Sequence, residues 1–445
     1  MKKYNLYTAT AIAMSTMIGT GVFTSIGFQV IDIKSTPAIL ALWILGGIIA
    51  IAGALTYGEL ASTFPKSGGE YNFLSKLYHP VLGFLSGYTS ATVGFAAPIA
   101  LAAMALGSYL TPLFPGAADF NPAQKEQYRV IIACTAVVIL TVVHLLNMKT
   151  SGNFQKYITS LVVLLIGGLI VAAFIVAEPV KMSFEGISND LNYLISNAFA
   201  VSLIYVSYSY SGWNAAAYIT EDIENPKRNV PRALIFGTLI VMTLYVLLNF
   251  VFLYTVPIDQ LAGQIEIGYL AAKNIFGETG GIVISLLISV CLVSAISGMT
   301  LVGPRITQTI FRDILPNIFA KYKSISGEVP VALLLFQTAV SIFLIITYTF
   351  EQVLVYIGFT LSLFTTLTVT GIFISRKKFS NEGHYKTPLY PITPILFIIF
   401  EIWMLSHLLS NKFTESVAGL LTVCSGIPVY YLAIKLNQKL KSKSE

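Results

Sequence analysis

Long stretches without a charged residue recur along almost the whole chain. Only 11% of the residues are charged and 55% are hydrophobic, whereas a soluble domain carries about a quarter charged residues. Because a helix needs about 20 residues to cross the hydrocarbon core of a bilayer, these stretches predict about twelve membrane-spanning helices. The predicted spans are residues 8–30, 38–62, 81–112, 129–148, 154–178, 191–220, 233–256, 280–305, 329–349, 352–375, 391–410 and 416–437.

The spans predict an all-α integral membrane protein. Only helices and closed barrels satisfy their backbone hydrogen bonds in lipid, and these runs are too long and too uniformly apolar for barrel strands, which alternate. No segment resembles a soluble domain, so residues 1–445 are predicted to form a single transmembrane domain. The first span carries polar and glycine positions with no cleavage pattern after it, which favours a retained helix over a removed signal peptide.

The charged residues lie mainly between the spans and are unevenly distributed. With the N-terminus inside and twelve alternating spans, most of the 27 Lys and Arg residues fall in inner segments. The positive-inside rule then predicts cytoplasmic N- and C-termini in a multi-pass protein of the plasma membrane. Membrane topology thereby accounts for the net charge of +6, and we expect no nucleic-acid partner.

The first predicted span contains an interruption near its middle. Residues 16–23 read TMIGTGVF, and glycine weakens a helix. Two interpretations are open: Gly19 and Gly21 make room for a neighbouring helix, as small residues do in membranes, or the helix breaks there. A break exposes free N–H groups on one half and free C=O groups on the other.

The sixth predicted span has a comparable interruption, which favours a break. Residues 208–214 read YSYSGWN inside an uncharged run. The two interruptions occupy matching places if residues 8–178 and 191–376 are five-helix repeats, and an odd number of helices makes the second repeat inverted. Helices 11 and 12, within 391–437, are additional. Interrupted segments at matching positions of inverted halves point to a transporter's binding site.

The ends of two broken helices match the charges of a zwitterion. Helix N-terminal ends carry partial positive charge and C-terminal ends partial negative charge. A substrate carboxylate is therefore predicted at the amides of Thr20 and Gly21, and its ammonium group at the carbonyls of Ile18 and Ser209. The interrupted segments contain no acid and no base, which favours neutral amino acids as substrates.

Four motifs stand in a fixed order over most of the chain: MIGTGVF in the first span, YGELASTFPKSGGEYNFL at 57–74, YSYSGWN followed by ITEDIENPKRNVPRAL at 219–234, and PRITQTIFRDILPNIFAK at 304–321. Together they resemble the amino acid–polyamine–organocation (APC) superfamily, and within it the L-type amino acid transporter-like permeases. The resemblance implies a five-plus-five inverted repeat with broken helices 1 and 6, two additional C-terminal helices, and amino acid transport by alternating access.

The resemblance also implies which residues surround the substrate. They come from the two interruptions and from the eighth span: Ile18, Gly19, Thr20, Gly21, Ser209, Tyr210, Gly212 and Ser297. Within this set, residues 19–21 would bind the carboxylate. Trp213 would be a bulky gate over the pocket.

One departure from the family pattern concerns the coupling ion. Many members carry a lysine in the fifth helix, whose ammonium group takes the place of a sodium ion in sodium-driven relatives, and this chain has Val162 there. A sodium site built from first-helix carbonyls and the hydroxyl of Ser294 or Ser297 is an alternative, since hard cations prefer oxygen ligands. Coupling to Na⁺, coupling to H⁺ and exchange therefore all stay open.

Other kinds of chemistry are not expected. Cys134, Cys291 and Cys424 lie far apart in apolar spans, and the four histidines have no partner at a metal-ligand spacing. No phosphate loop or fingerprint of an organic cofactor is found. The sequence thus predicts no metal, no cofactor and no obligate protein partner.

Two carboxyl groups fall inside spans, where charge is costly and calls for a partner. Glu401 is predicted to make a structural hydrogen bond in the eleventh helix, with proton coupling as the alternative. Glu59 is predicted to join an inner ion-pair cluster with bases such as Arg305.

These features favour a secondary transporter, either a symporter or an exchanger, for small neutral amino acids. One alternative is a channel, or a membrane sensor that binds an amino acid without moving it. A membrane-embedded transferase would need a catalytic constellation of His, Asp or Cys residues, which the scattered histidines do not supply.

Overall fold

Helices make up almost all of the regular structure in the computed structural model of the chain. The residues that the structure describes are 3–146, 152–180, 182–184, 187–314, 331–379 and 385–441. In chain order the α-helices are α1 (Leu6–Met17), α2 (Gly21–Asp32), α3 (Thr36–Thr63), α4 (Glu70–Leu77), α5 (Pro80–Thr89), α6 (Ala96–Leu110), α7 (Pro122–Leu146), α8 (Gly152–Val176), α9 (Ile187–Tyr193), α10 (Asn197–Tyr210), α11 (Ala215–Tyr218), α12 (Pro226–Thr255), α13 (Ile258–Leu261), α14 (Ile267–Ile314), α15 (Val331–Thr347), α16 (Phe350–Lys378), α17 (Ile392–Asn411) and α18 (Phe413–Lys441).

The helices fall on the predicted spans. Within the described residues, nine helical segments are long and apolar enough to cross a membrane. Two shorter apolar helices, Val162–Val176 and Val331–Thr347, lie in the fifth and ninth predicted spans, and α10 with α11 forms the sixth. The prediction of an all-α membrane fold is therefore confirmed. The division into inverted repeats at 8–178 and 191–376 stays a prediction.

The first membrane segment is broken where its two glycines lie. α1 ends at Met17 and α2 begins at Gly21. Between them, Ile18 has extended backbone angles of φ −74° and ψ 92°. The predicted break of helix 1 is therefore present.

The sixth segment is broken in the same manner. α10 ends at Tyr210, and Ser211 turns the chain away from the helix with a ψ of 137°. Gly212 follows with a φ of 100°, in the left-handed region that glycine adopts at little cost. The chain becomes helical again at Ala215, so the predicted break of helix 6 is also present.

Small residues of α3 let this helix approach the neighbours of the breaks. A side chain added at Gly46 would collide with Val206 of α10, and one added at Gly47 would collide with Met242 of α12. Glycines at such contacts allow close helix packing in membranes, where the lipid itself supplies no hydrophobic drive. α3 thus holds the broken sixth segment against the intact helix α12.

The N-terminus is tied to the chain that follows the sixth segment. The backbone N–H of Tyr4 donates to the carbonyl of Asp222 at 2.7 Å, and the N–H of Glu224 donates to the carbonyl of Tyr4 at 2.9 Å. These bonds form an isolated parallel bridge between Tyr4 and Ile223. The bridge joins the start of α1 to the loop between α11 and α12.

Candidate substrate-binding site

The two helix breaks lie side by side. The hydroxyl of Thr16, at the end of α1, donates to the carbonyl of Gly212 at 3.1 Å. On the other side of the first break, the hydroxyls of Ser25 and Ser209 are 3.0 Å apart. A Cβ built on Gly21 would lie 2.6 Å from the Cα of Ser209, so the backbones of α2 and α10 are in direct contact.

The carbonyl ends of the two breaks share one hydrogen-bond donor. The hydroxyl of Tyr245, on α12, lies 2.6 Å from the carbonyl oxygen of Met17 and 3.2 Å from that of Ser209. A tyrosine hydroxyl has a single proton, whereas each carbonyl oxygen has two lone pairs. The pair of carbonyls therefore keeps acceptor capacity for an ammonium group.

The amide end of the first break is the start of α2. α2 begins without a side-chain cap, since its N-cap residue Thr20 makes no capping hydrogen bond. The first N–H groups of a helix have no partner within the helix and carry partial positive charge. A Cβ built on Gly19 would meet no atom nearer than the carbonyl oxygen of Met17 at 3.9 Å. A methyl group therefore fits at Gly19, and the approach of a carboxylate to these amides stays a prediction.

A cavity of about 450 Å³ adjoins the breaks. It is bordered by α1, the π-helical turn Ser90–Gly94, the second break, and helices α14, α16 and α17. Of the predicted substrate residues, Gly212 lines this cavity, together with the predicted gate Trp213. Sequence reasoning missed several other lining residues: Thr16, Ser90, Ser207, Tyr208, Ser211 and Asn214.

The remaining predicted residues of the breaks lie next to this cavity and do not line it. Ile18, Gly19, Thr20 and Gly21 form the first break itself. Ser209 contacts Ser25. Tyr210 lines a second, smaller cavity of about 20 Å³, and its hydroxyl donates to the carbonyl of Trp43 at 3.1 Å.

Trp213 borders both cavities. Its ring is 6% exposed. It meets the ring of Tyr57 edge-on, with centroids 4.7 Å apart, and that of Phe397 at 6.1 Å. A bulky ring in this place separates the cavities, although the gating role itself stays a prediction.

The structure places Ser297 outside the lining of the cavity. Its hydroxyl lies 2.9 Å from Nε2 of His144, which joins α14 to α7. Ser294, one turn earlier, is buried at 2% exposure. The predicted roles of these two serines in a substrate or sodium site therefore stay predictions.

Two acidic side chains line the larger cavity, namely Glu70 and Glu401. The interrupted segments contain no acid, and both of these residues come from other parts of the chain. Glu70 reaches the cavity from α4, and Glu401 from α17. Only the folded arrangement brings these helices beside the second break.

The carboxylate of Glu70 joins three elements around the second break. It accepts hydrogen bonds from the hydroxyl of Tyr57 at 2.8 Å, the amide of Asn214 at 2.9 Å and the hydroxyl of Tyr218 at 2.9 Å. Glu70 is 4% exposed, and buried polar groups need such partners. This cluster ties the short helix α4 to α3 and to α11.

Glu70 gives a testable dependence of stability on pH. Burial raises its pKa above 4.5, and its three donors oppose that rise. A carboxyl with a raised folded-state pKa contributes stability that is present below pH 4.5 and is lost as the pH rises through the folded-state pKa. We expect the melting temperature of the purified protein to fall as the pH rises from 4.5 through the folded-state pKa of Glu70, and to fall less in Glu70→Gln. Identical pH profiles for wild type, Glu70→Gln and the exposed control Glu126→Gln would contradict this assignment.

Glu59 forms an ion pair with Arg376 of α16. Its carboxylate accepts from Nε and Nη2 of Arg376, both at 2.7 Å, and from the backbone N–H of Thr387 at 2.7 Å. The side chain of Arg305 lies outside the described residues. Arg376 is thus the described cation of Glu59, and the pairing with Arg305 stays a prediction.

Glu401 is buried at 5% exposure in the middle of α17. Ser362 of α16 lies near its carboxyl group. Its second oxygen, Oε2, is buried and has no hydrogen-bond partner among the described residues. The predicted structural hydrogen bond of Glu401 therefore stays a prediction.

The part of the chain that the structure describes contains no candidate metal site. No group of three His, Cys, Asp or Glu residues there is arranged to hold a metal ion. Cys134, Cys291 and Cys424 are free thiols.

Two adjacent helix breaks, whose opposite dipole ends meet beside a cavity within a bundle of membrane-spanning helices, define a multi-pass membrane transport protein. Comparison with known families narrows this class. The chain belongs to the amino acid permease family, whose model matches residues 4–424.

Several curated relatives align over nearly the whole chain. It is 28% identical over 440 residues to the serine/threonine exchanger SteT of Bacillus subtilis, covering 97% of this chain and 96% of that protein. It is 28% identical to the mouse b(0,+)-type amino acid transporter 1, with coverages of 97% and 88%. It is 26% identical to the human large neutral amino acids transporter small subunit 2, with coverages of 100% and 82%. The chain is therefore an amino acid permease of the APC superfamily and not an enzyme.

Proposed function

We propose that this chain is a secondary active transporter that moves small neutral amino acids across the plasma membrane by alternating access. The observation that carries the proposal is the meeting of two broken helices beside a cavity of about 450 Å³. An amino acid is a zwitterion, so it needs hydrogen-bond donors for its carboxylate and hydrogen-bond acceptors for its ammonium group.

The carboxylate site of the proposal is the amide end of α2. Gly19, Thr20 and Gly21 present backbone to the ligand, and the space above Gly19 is open to 3.9 Å. The ammonium site is formed by the carbonyls near Ile18 and Ser209. The hydroxyl of Tyr245 lies within hydrogen-bonding distance of two carbonyl oxygens in this region, those of Met17 and Ser209. Gly212 and Tyr210 complete the surroundings of the second break.

Three observations support a small neutral side chain. No basic residue lines the larger cavity within the described residues, so an anionic side chain would find no counter-charge. The carboxylate of Glu70 is already bonded to three donors. One relative, SteT, is described as a serine/threonine exchanger.

Alternating access needs parts that can separate on one side of the substrate. Trp213 stands between the two cavities, and we assign it the gate. The Glu70 cluster connects α11 to α3 and α4, and its release would free α11 to move. Coupling to Na⁺ or H⁺, with Ser294 or Ser297 as candidate sodium ligands, and strict exchange are variants of this mechanism.

The proposal includes an orientation in the membrane. Both termini face the cytoplasm, as the concentration of Lys and Arg in inner segments predicts. A single chain contains both breaks and the cavity, so the amino acid and the lipid bilayer suffice as partners.

Uptake into proteoliposomes tests the proposed function. Purified protein is reconstituted and offered a panel of radiolabelled amino acids with imposed sodium gradients, proton gradients or internal amino acid. We expect saturable uptake of small neutral amino acids, such as alanine, serine and threonine, above that of empty liposomes. The gradient that stimulates uptake identifies the coupling. Binding of these amino acids without flux would instead indicate a sensor and would overturn the transport proposal.

A further inference from the structure

Glu401 stands where the two cavities meet. Three residues border both spaces: Ser207 of α10, the gate Trp213, and Glu401 itself. Glu401 comes from α17, a helix that contributes nothing to either break. Its carboxyl group is therefore a separate polar element beside the proposed substrate site.

The two acids that line the larger cavity differ in how their oxygens are satisfied. The oxygens of Glu70 receive three hydrogen bonds from described side chains. Glu401 has Ser362 beside it, while its Oε2 has no hydrogen-bond partner in the described part of the chain. A buried oxygen without a donor is costly in a folded protein. Such a group inside a membrane bundle is a functional candidate by default.

We propose that Oε2 of Glu401 forms a side-chain subsite that accepts a hydrogen bond from a hydroxyl group of the substrate. The inference rests on the proposed function and refines its substrate class: small neutral amino acids with a hydroxyl group are selected over apolar amino acids of equal size. The backbone of the breaks holds the ammonium and carboxylate groups, which are common to all amino acids. Glu401 then binds the side-chain hydroxyl group, which distinguishes one amino acid from another.

The surroundings of Glu401 favour a hydroxyl over a cationic group. Phe397 and Met404, on the same helix, and Leu203 of α10 border the small cavity beside it. Placing an ammonium group there would remove a second charge from water, and the loss of hydration can exceed the attraction within the pair. A hydroxyl donates the one hydrogen bond that Oε2 lacks and carries no charge.

The experiment compares threonine with valine, which have nearly the same shape and differ by a hydroxyl in place of a methyl group. Uptake of each by the full-length chain in proteoliposomes gives a ratio of kcat/KM values. We expect wild type to favour threonine by about tenfold, the size of one net hydrogen bond. In Glu401→Met, which keeps the length and removes the acceptor, the ratio should fall to about one. Glu401→Gln keeps a carbonyl acceptor and should retain a preference for threonine.

The outcomes separate this inference from the transport proposal. Equal transport of threonine and valine by wild type would overturn the subsite while leaving transport intact, whether or not any variant folds. An unchanged ratio in Glu401→Met would overturn it too, and would leave Glu401 as a purely structural side chain. Lysine uptake that disappears in Glu401→Gln would replace the hydroxyl subsite by a cation subsite. Glu415→Gln, on α18 and outside both cavities, is the matched control and should keep the wild-type ratio.

Discussion

Replacing Gly21 with leucine is expected to reduce amino acid uptake to the background of empty liposomes. A Cβ at this position would lie 2.5 Å from Oγ and 2.6 Å from Cα of Ser209, and the second atom belongs to the backbone. Leucine must therefore push α2 away from α10, which separates the two breaks. Overpacking of this kind costs roughly 1–3 kcal/mol, so the melting temperature of the purified protein should also fall. Uptake assays and thermal unfolding measure the two effects.

Gly19 separates the effect on binding from the effect on packing. A Cβ there would meet no atom nearer than 3.9 Å, so Gly19→Ala should keep the wild-type melting temperature. If the amides of the first break bind the carboxylate, the added methyl group hinders its approach and raises the apparent KM by about tenfold or more. Gly167→Ala, where a Cβ meets nothing within 4 Å, should change neither property. An unchanged KM in Gly19→Ala, or normal uptake in Gly21→Leu, would contradict the carboxylate site.

Replacing Arg376 with alanine is expected to lower the free energy of unfolding by about 3–5 kcal/mol, the cost of breaking a buried ion pair from one side. The side chain of Glu59 is fully buried, and that of Arg376 is 24% exposed. Without the guanidinium group, the buried carboxylate loses the cation that contacts both of its oxygens. The arginine also lies 3.6 Å from the ring of Tyr390. Denaturant unfolding in detergent measures the loss.

A second ion pair supplies the control for this prediction. Lys412 and Glu351 are also 2.7 Å apart, but their side chains are 31% and 29% exposed. Exposed pairs contribute about 0–1 kcal/mol, so Lys412→Ala should have a small effect. The double variant Glu59→Gln with Arg376→Gln removes both charges of the pair and should be more stable than Arg376→Ala. Equal losses in Arg376→Ala and Lys412→Ala would argue against a special role for the buried pair.

Features that depend on local sequence were predictable. The spans follow from the absence of charge over lengths that match a bilayer. The two breaks follow from glycine and polar residues inside such spans, and their positions at Gly21 and Gly212 are confirmed. Both features depend on residues that are neighbours in the sequence, so they can be predicted without a structure.

Pairings between distant segments could not be predicted in the same way. Glu59 meets Arg376 across 317 positions of sequence, and this pairing depends on how the helices pack. The same holds for Glu70 and Glu401, which reach one cavity from helices without an interruption. Helix α5 passes into the π-helical turn Ser90–Gly94, which also borders this cavity and has no distinctive residue pattern. A π turn of this kind is often found at functional sites.

The bridge between Tyr4 and Ile223 has a mechanical consequence. Two backbone hydrogen bonds connect the start of α1 to the loop before α12. A movement of α1 therefore moves that loop with it while the bonds hold. We therefore expect the half-helix of the first break and the short half-helix of the second to move together. The backbone of Tyr4, and not its ring, makes this connection.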